Sequence, residues 1–247
     1  MTARKPQILA VGGGGFTVEP DNPRLERYVL AQTGRKNPRV CFLGTATGDT
    51  DTYVAKFYAA FTRLGCRPTH ISLFARTPDL RKELLGQDVI YVGGGNTKSM
   101  LAVWREWGIP SILREAWRRG IVLTGVSAGA ICWFKAGVTD SWAHRLAALP
   151  GLGFLPGTCC PHYDSEKERR PAVHRLVASR EVPATIALDD GAAAHYVGRE
   201  LVRIVSSRPK ALGYSVRRKG AIAEEKALPV FRLSRAGRGG TARLPNG

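Results

Sequence analysis

The chain has 247 residues, with 37 Lys and Arg against 20 Asp and Glu and a formal charge of +17. That length suits one α/β domain with a full apolar core; no run of about 18 apolar residues is present to span a membrane, and no secretory leader pattern opens the sequence. The five cysteines lack framework spacing and read as reduced thiols of a cytoplasmic protein, no zinc-ligand spacing or cofactor motif occurs, and the basic residues are scattered without the interleaved aromatics of a nucleic-acid binder.

Apolar, β-branched runs predict strands at 7–11, 39–43, 69–74, 88–92 and 121–125, alternating with helical patterns at 23–31, 52–64, 78–85, 97–107 and 111–119. This alternation predicts parallel βαβ units, a three-layer α/β fold whose mostly parallel sheet is flanked by helices. A helix is expected to start at Ala128 and reach Phe134, and another to cover 166–178. After Thr185 the pattern shortens to strands at 185–188, 192–197, 200–205 and 212–217, a smaller antiparallel C-terminal extension. Residues 1–233 read as a single domain; 234–247, rich in Gly, Arg and Pro, read as a disordered basic tail.

The loops at the carboxyl ends of the strands carry the unusual chemistry. Gly12 to Gly15 follow the first strand. This run lacks the Lys and Ser/Thr of a phosphate-binding loop and reads as a close-packed turn bordering an active site. Gly93-Gly94-Gly95-Asn96-Thr97 follows the fourth strand; three glycines imply close backbone approach or positive φ, and Asn96 or Thr97 can cap the next helix. Gly125-Val126-Ser127-Ala128-Gly129 follows the fifth. G-x-S-x-G at a strand-to-helix turn lifts a serine hydroxyl to the tip of a sheet, and leaves the Ala128 N–H free to donate to an oxyanion.

A serine nucleophile needs a base, and the base needs a carboxylate to hold its tautomer. His162, in Cys160-Pro161-His162-Tyr163-Asp164, is the expected base and Asp190 the expected carboxylate. Asp140 is the rival acid and His144 the alternative base. His70 reads as structural, His174 as solvated or capping, and His195 as core or site. In Glu166-Lys167-Glu168-Arg169-Arg170 a Glu166–Arg170 helix pair would leave Arg169 to bind a substrate carboxylate.

GGGNT, GVSAGA and PHYDSE, in this order and spacing, resemble the peptidase E (aspartyl dipeptidase) family, related to cyanophycinases and to class I glutamine amidotransferase-like folds. The resemblance runs from about Gln7 to Gly198. It implies a serine peptidase that cleaves small peptides, dipeptides with N-terminal Asp, through an acyl-enzyme on Ser127, with His162 as base. The acid falls in an apolar-x-(E/D)-G segment that Asp190-Gly191 fits, where peptidase E carries Glu; Asp140 is then a group beside the triad or facing the substrate. Ala128 with Gly94 or Gly95 would hold the oxyanion, and Asn96, Thr97, Asp164 and Arg169 are expected on the substrate side. The alternatives are a β-aspartyl, cyanophycinase-like activity or a non-catalytic binding protein. The expected partner is a small peptide, with neither membrane nor nucleic acid; no oligomeric state is legible.

Overall fold

The computed structural model describes residues 4–142 and 145–234. His144 and all but the first residue of the expected disordered tail lie outside the described residues. Along the chain come β1 (Gln7–Val11), α1 (Arg24–Ala31), β2 (Arg39–Leu43), α2 (Asp51–Arg63), β3 (Arg67–Ile71), α3 (Leu80–Leu85), β4 (Val89–Val92), α4 (Thr97–Glu106), α5 (Ile109–Arg118) and β5 (Val122–Val126). A single turn, α6 (Ala128–Ile131), leads into β6 (Phe134–Trp142), β7 (Arg145–Pro150), β8 (Leu155–Cys160) and α7 (Arg169–Ala178). The last six strands are β9 (Thr185–Leu188), β10 (Ala192–Val197), β11 (Glu200–Ser206), β12 (Gly213–Lys219), β13 (Ile222–Ala227) and β14 (Val230–Arg232).

The α/β alternation expected from the sequence is present. β1, β5, β4, β2 and β3 lie side by side and parallel, as right-handed crossovers through packed helices require. Every residue of β4 and of β5 is buried, because helices cover both faces. On one face Ile8, Ile90 and Leu123 pack with Trp104 of α4 and Leu113 of α5. On the other, Leu9, Phe42 and Tyr91 pack with Tyr28 of α1 and with Phe57 and Phe61 of α2.

The C-terminal strands divide between two sheets. β10 pairs antiparallel with β1 and carries β11 outward, completing an eight-stranded order β14-β11-β10-β1-β5-β4-β2-β3. β9, β12 and β13 join β6, β7 and β8 in a six-stranded sheet ordered β13-β12-β9-β8-β6-β7. The helix after Ser127 stops at Ile131 instead of running to Phe134. The Cys132 carbonyl accepts the Leu152 N–H (2.8 Å) and the Trp133 carbonyl the Leu155 N–H (2.9 Å), bonds that turn the chain into the second sheet. α6 thus touches strands of both sheets. Ser127, His162 and Asp190 follow the carboxyl ends of β5, β8 and β9 respectively.

One buried acid sits beneath this rim. Glu26 of α1 is 2% exposed; its Oε1 accepts the Phe16 N–H at 2.8 Å, and its Oε2 has no partner among the described residues. Burial pushes its pKa from 4.5 to about 7, against the backbone N–H groups of Glu26 and Phe16. The unfolded chain ionises this group near the ordinary value, the folded chain only near neutrality. Folding therefore loses stability as pH rises from about 4.5 through about 7, by on the order of 3 kcal/mol when complete. Glu26→Gln keeps an acceptor for Phe16, so its unfolding free energy should fall less between pH 5 and 8 than the wild type's. Parallel urea-unfolding profiles for the two proteins would contradict this account.

Candidate active site

Ser127 stands between β5 and α6 with φ 57° and ψ −113°, a left-handed conformation that a non-glycine residue holds only where its surroundings impose it. Its N–H donates to the Val11 carbonyl at 3.1 Å, and its own carbonyl accepts Ala130 N–H (2.9 Å) and Ile131 N–H (3.0 Å). The flanking glycines are required by contact. A Cβ on Gly125 would lie 2.5 Å from the Gly129 carbonyl oxygen, and one on Gly129 2.3 Å from that of Val92.

From Ser127 a continuous run of hydrogen bonds leads inward. Ser127 Oγ is 2.9 Å from His162 Nε2, and His162 Nδ1 is 2.7 Å from Asp190 Oδ1. With Nδ1–H donated to the carboxylate, Nε2 is left to accept the serine proton. His162 also has positive φ (54°); its N–H donates to the Gly12 carbonyl at 3.2 Å. Asp190 N–H donates to Asp164 Oδ1 at 2.8 Å, and the neighbouring Asp189 Oδ2 accepts Leu212 N–H at 2.9 Å. Burial alone would raise the Asp190 pKa. The hydrogen bond and charge of His162, with Ser165 and Arg208 beyond, outweigh it and hold the carboxyl below its usual range. The Gly12–Gly15 loop borders this pair as expected: a Cβ on Gly13 would fall 1.8 Å from Asp190 Oδ1 and 2.6 Å from His162 Nδ1.

Among the described residues no hydrogen bond engages the N–H of Ala128, which follows Ser127, or that of Gly95, which follows Gly94. Gly94 is the closer glycine, since a Cβ placed on it would lie 3.2 Å from Ser127 Cβ. Its N–H, however, donates to the Tyr53 hydroxyl at 3.1 Å. Of the two glycines considered from sequence, Gly95 therefore carries the free donor. Tyr53 lies on α2, 41 residues away, and no local pattern announces it.

Residues 8–204 match the model of peptidase family S51. The chain belongs to that family. It is 52% identical over 225 residues to the uncharacterized peptidase YgaJ of Bacillus subtilis (strain 168), covering 91% of this chain and 97% of that protein. Peptidase E of Citrobacter koseri is 30% identical over 132 residues, 53% of this chain and 56% of the relative. A solved peptidase from an acI-B1 Actinobacterium shares the fold, with a TM-score of 0.68 at 18% identity over 92% of this chain and 96% of that one.

In this S51 peptidase the other expected site residues fall in different places. Asn96 caps α4, its Oδ1 accepting Ser99 N–H (3.0 Å), and its Nδ2 donates to the Ser141 carbonyl (3.3 Å). Thr97 is not on the substrate side: it is 1% exposed and accepts a hydrogen bond from Thr139 Oγ1 at 3.3 Å. Asp164 is exposed and serves Asp190, as above. Asp140 makes its ion pair with Arg169, at 3.4 Å, and not with His162.

Arg169 is not a free guanidinium. It is 2% exposed, with Nε on Glu166 Oε2 (2.7 Å) and one terminal nitrogen on the Val138 carbonyl (3.0 Å). The expected Glu166–Arg170 pair is not formed because α7 begins only at Arg169, so Glu166 lies in the turn before it and reaches the residue three on. Arg170 instead pairs with Glu225 and lies over the rings of Tyr163 (4.5 Å) and Tyr214 (4.8 Å). Glu225 of β13 also accepts the Tyr163 hydroxyl (2.6 Å) and His174 Nε2–H (3.0 Å), which ties the segment after His162 to the second sheet. His195 is a core residue between the Tyr28 hydroxyl (2.9 Å) and the Gln7 side-chain oxygen (2.8 Å); burial, with Arg203 nearby, lowers its pKa to about 4. His70 bonds the Tyr58 hydroxyl at 3.0 Å.

Gly13→Ala should drive a methyl into the His162–Asp190 pair. We expect a loss of about 1–3 kcal/mol of stability, as for other overpacked sites, together with loss of the downfield proton resonance of a short His Nδ1–H···carboxylate bond. A variant with wild-type unfolding and an unchanged resonance would show that the loop can yield.

Proposed function

We propose that this peptidase hydrolyses small peptides through an acyl-enzyme on Ser127. The observation that carries the reading is the run from Ser127 Oγ to His162 to Asp190 at 2.9 and 2.7 Å, with the N–H groups of Ala128 and Gly95 unengaged among the described residues. Ser127 Oγ attacks the peptide carbonyl carbon while His162 Nε2 takes its proton, and the ionised Asp190 stabilises the imidazolium. The oxyanion accepts hydrogen bonds from Ala128 N–H and Gly95 N–H, each such donor contributing about 3 kcal/mol in the transition state. Collapse expels the amine, which takes the proton from His162. Water, deprotonated by the same nitrogen, then releases the acid and restores Ser127.

A preference for N-terminal Asp, and the β-aspartyl alternative, come from the resemblance to peptidase E and cyanophycinase. Either would need a cation free to meet the substrate carboxylate, and Arg169 is engaged by the chain itself. Five unpaired cysteines, four of them buried, support a reducing compartment, the cytoplasm.

The test is hydrolysis of an Asp-X, Glu-X, Ala-X and β-Asp-Arg panel, with fluorophosphonate labelling of the serine. Wild type should cleave at least one peptide and take the label at Ser127. Ser127→Ala should lose both with an unchanged circular dichroism spectrum, and Asp190→Asn should lower kcat by about 10⁴ through the wrong imidazole tautomer. A folded wild type that neither cleaves nor labels would overturn the reading in favour of a binding protein.

A further inference from the structure

We propose that Tyr53 is a positioning residue for the reaction at Ser127: by holding the Gly94 N–H, its hydroxyl fixes the glycine loop in the one arrangement that leaves the Gly95 N–H to the substrate oxygen. The inference rests on the Ser127 reading above and adds the side chain that prepares one of its two oxyanion donors.

A run of three glycines carries no side chain of its own to hold its peptides in one orientation, so each peptide depends on a partner. Gly93 N–H donates to the Leu43 carbonyl of β2 at 3.0 Å, Gly94 N–H to the Tyr53 hydroxyl at 3.1 Å, and Asn96 N–H to the Ala46 carbonyl at 2.8 Å. The Gly95 N–H lies between the last two and is engaged by nothing among the described residues. At the Asn96 end backbone contact alone sets the loop: Gly95 has φ +133°, and a Cβ on it would lie 2.3 Å from the Ala46 carbonyl oxygen. The other end approaches the nucleophile. A Cβ on Gly94 would lie 3.2 Å from Ser127 Cβ and 3.8 Å from Ser127 Oγ. There the N–H partner is a side chain, so the Gly94–Gly95 peptide sits between a neighbour held by backbone and a neighbour held by Tyr53.

Tyr53 is itself fixed. Its ring packs on Phe42 and Phe16, with centroids 4.9 and 5.7 Å away, and its Cε1 lies 3.0 Å from where a Gly93 Cβ would be. The ring thus borders the loop and its hydroxyl reaches the next peptide along. Burial raises the phenol pKa against the opposing effect of the Gly94 N–H, so the hydroxyl stays neutral. A neutral acceptor can orient the loop without setting a negative charge near the place where the oxyanion develops, which a carboxylate in the same position would do. Donors that are already oriented need no rearrangement as the charge forms, and that is the source of their effect on rate. Without the Tyr53 hydroxyl the freedom of Gly94 returns, and the Gly95 N–H has one flank unheld.

Tyr53→Phe keeps the ring on Phe42 and Phe16 and removes only the acceptor. With the peptide that wild type cleaves best, kcat should fall by about tenfold to a hundredfold, less than the 10²–10³ that deleting an oxyanion donor outright costs, while KM stays within about twofold. A boronic acid analogue of that peptide, which forms a tetrahedral adduct on the serine, should lose affinity by about the same factor as kcat. Tyr58→Phe removes a hydroxyl from the same helix, where it bonds His70, and should keep wild-type kcat. Circular dichroism melts establish that both variants are folded. An unchanged or raised kcat in Tyr53→Phe, a rise in KM alone, or an unaltered boronate affinity would overturn the proposal. Fluorophosphonate labelling separates the two levels. A wild type that cleaves and labels beside an indifferent Tyr53→Phe sinks only the positioning role, whereas a wild type that does neither sinks the peptidase reading with it.

Discussion

The site depends on how closely two strand ends and the turn of helix between them can approach one another. The Val92 carbonyl oxygen lies 2.3 Å from where a Gly129 Cβ would be, and the Gly129 carbonyl oxygen 2.5 Å from where a Gly125 Cβ would be. Only glycine leaves room for both contacts. They press the first turn of α6 against β4 and β5, and Ser127 sits at the tip between them with positive φ. The neighbouring loop obeys the same constraint at Gly13, whose hydrogen occupies the space where any side chain would separate His162 from Asp190. Packing at backbone level thus constrains the positions of Ser127, His162 and Asp190 before any side-chain interaction is considered.

Strained backbone persists when its surroundings over-determine it. Ser127 and His162 both have positive φ, and both are tied to β1 or the loop after it, through Val11 and Gly12 respectively. His162 is held from the other side as well, because Tyr163 next to it is anchored by Glu225 and covered by Arg170. The second sheet therefore does more than extend the fold: through Glu225 of β13 it ties down the segment that carries His162. Charge around Asp190 is balanced locally too. Asp164, Asp189 and Asp190 crowd together, and burial with the two neighbouring carboxylates pushes the Asp189 pKa to about 6. The His162 contact and Arg208, itself paired with Glu19 at 3.1 Å, keep Asp190 ionised in that company.

What could be read in the sequence follows from which constraints are local. Each glycine run directly follows an apolar strand, so the loops bearing Ser127, Gly95 and the Gly13 contact could be placed from order alone, and the parallel half of the fold with them. The strands β6 to β8 could not. Gly137, Pro150, Gly151, Pro156 and Gly157 interrupt the alternation, and the pairing slips between Phe134 and Ala136 and between Thr139 and Trp142, so no period of two survives. The Arg169 expectation failed on a boundary: a helix read as starting near Glu166 starts at Arg169, and three residues decide which guanidinium meets that carboxylate. Tyr53, which claims the Gly94 N–H, belongs to a different helix, and nothing near Gly94 in sequence hints at it.

The net charge of +17 invites the idea that the protein recruits acidic ligands, yet the arrangement around the His162 and Asp190 segments runs the other way. The fixed cations there are already countered: Arg169 by Glu166 and Asp140, Arg170 by Glu225, Arg208 by Glu19. Each counter-charge comes from within the chain and holds its guanidinium in one place. Net charge acts over long range and is screened within about 10 Å at moderate salt.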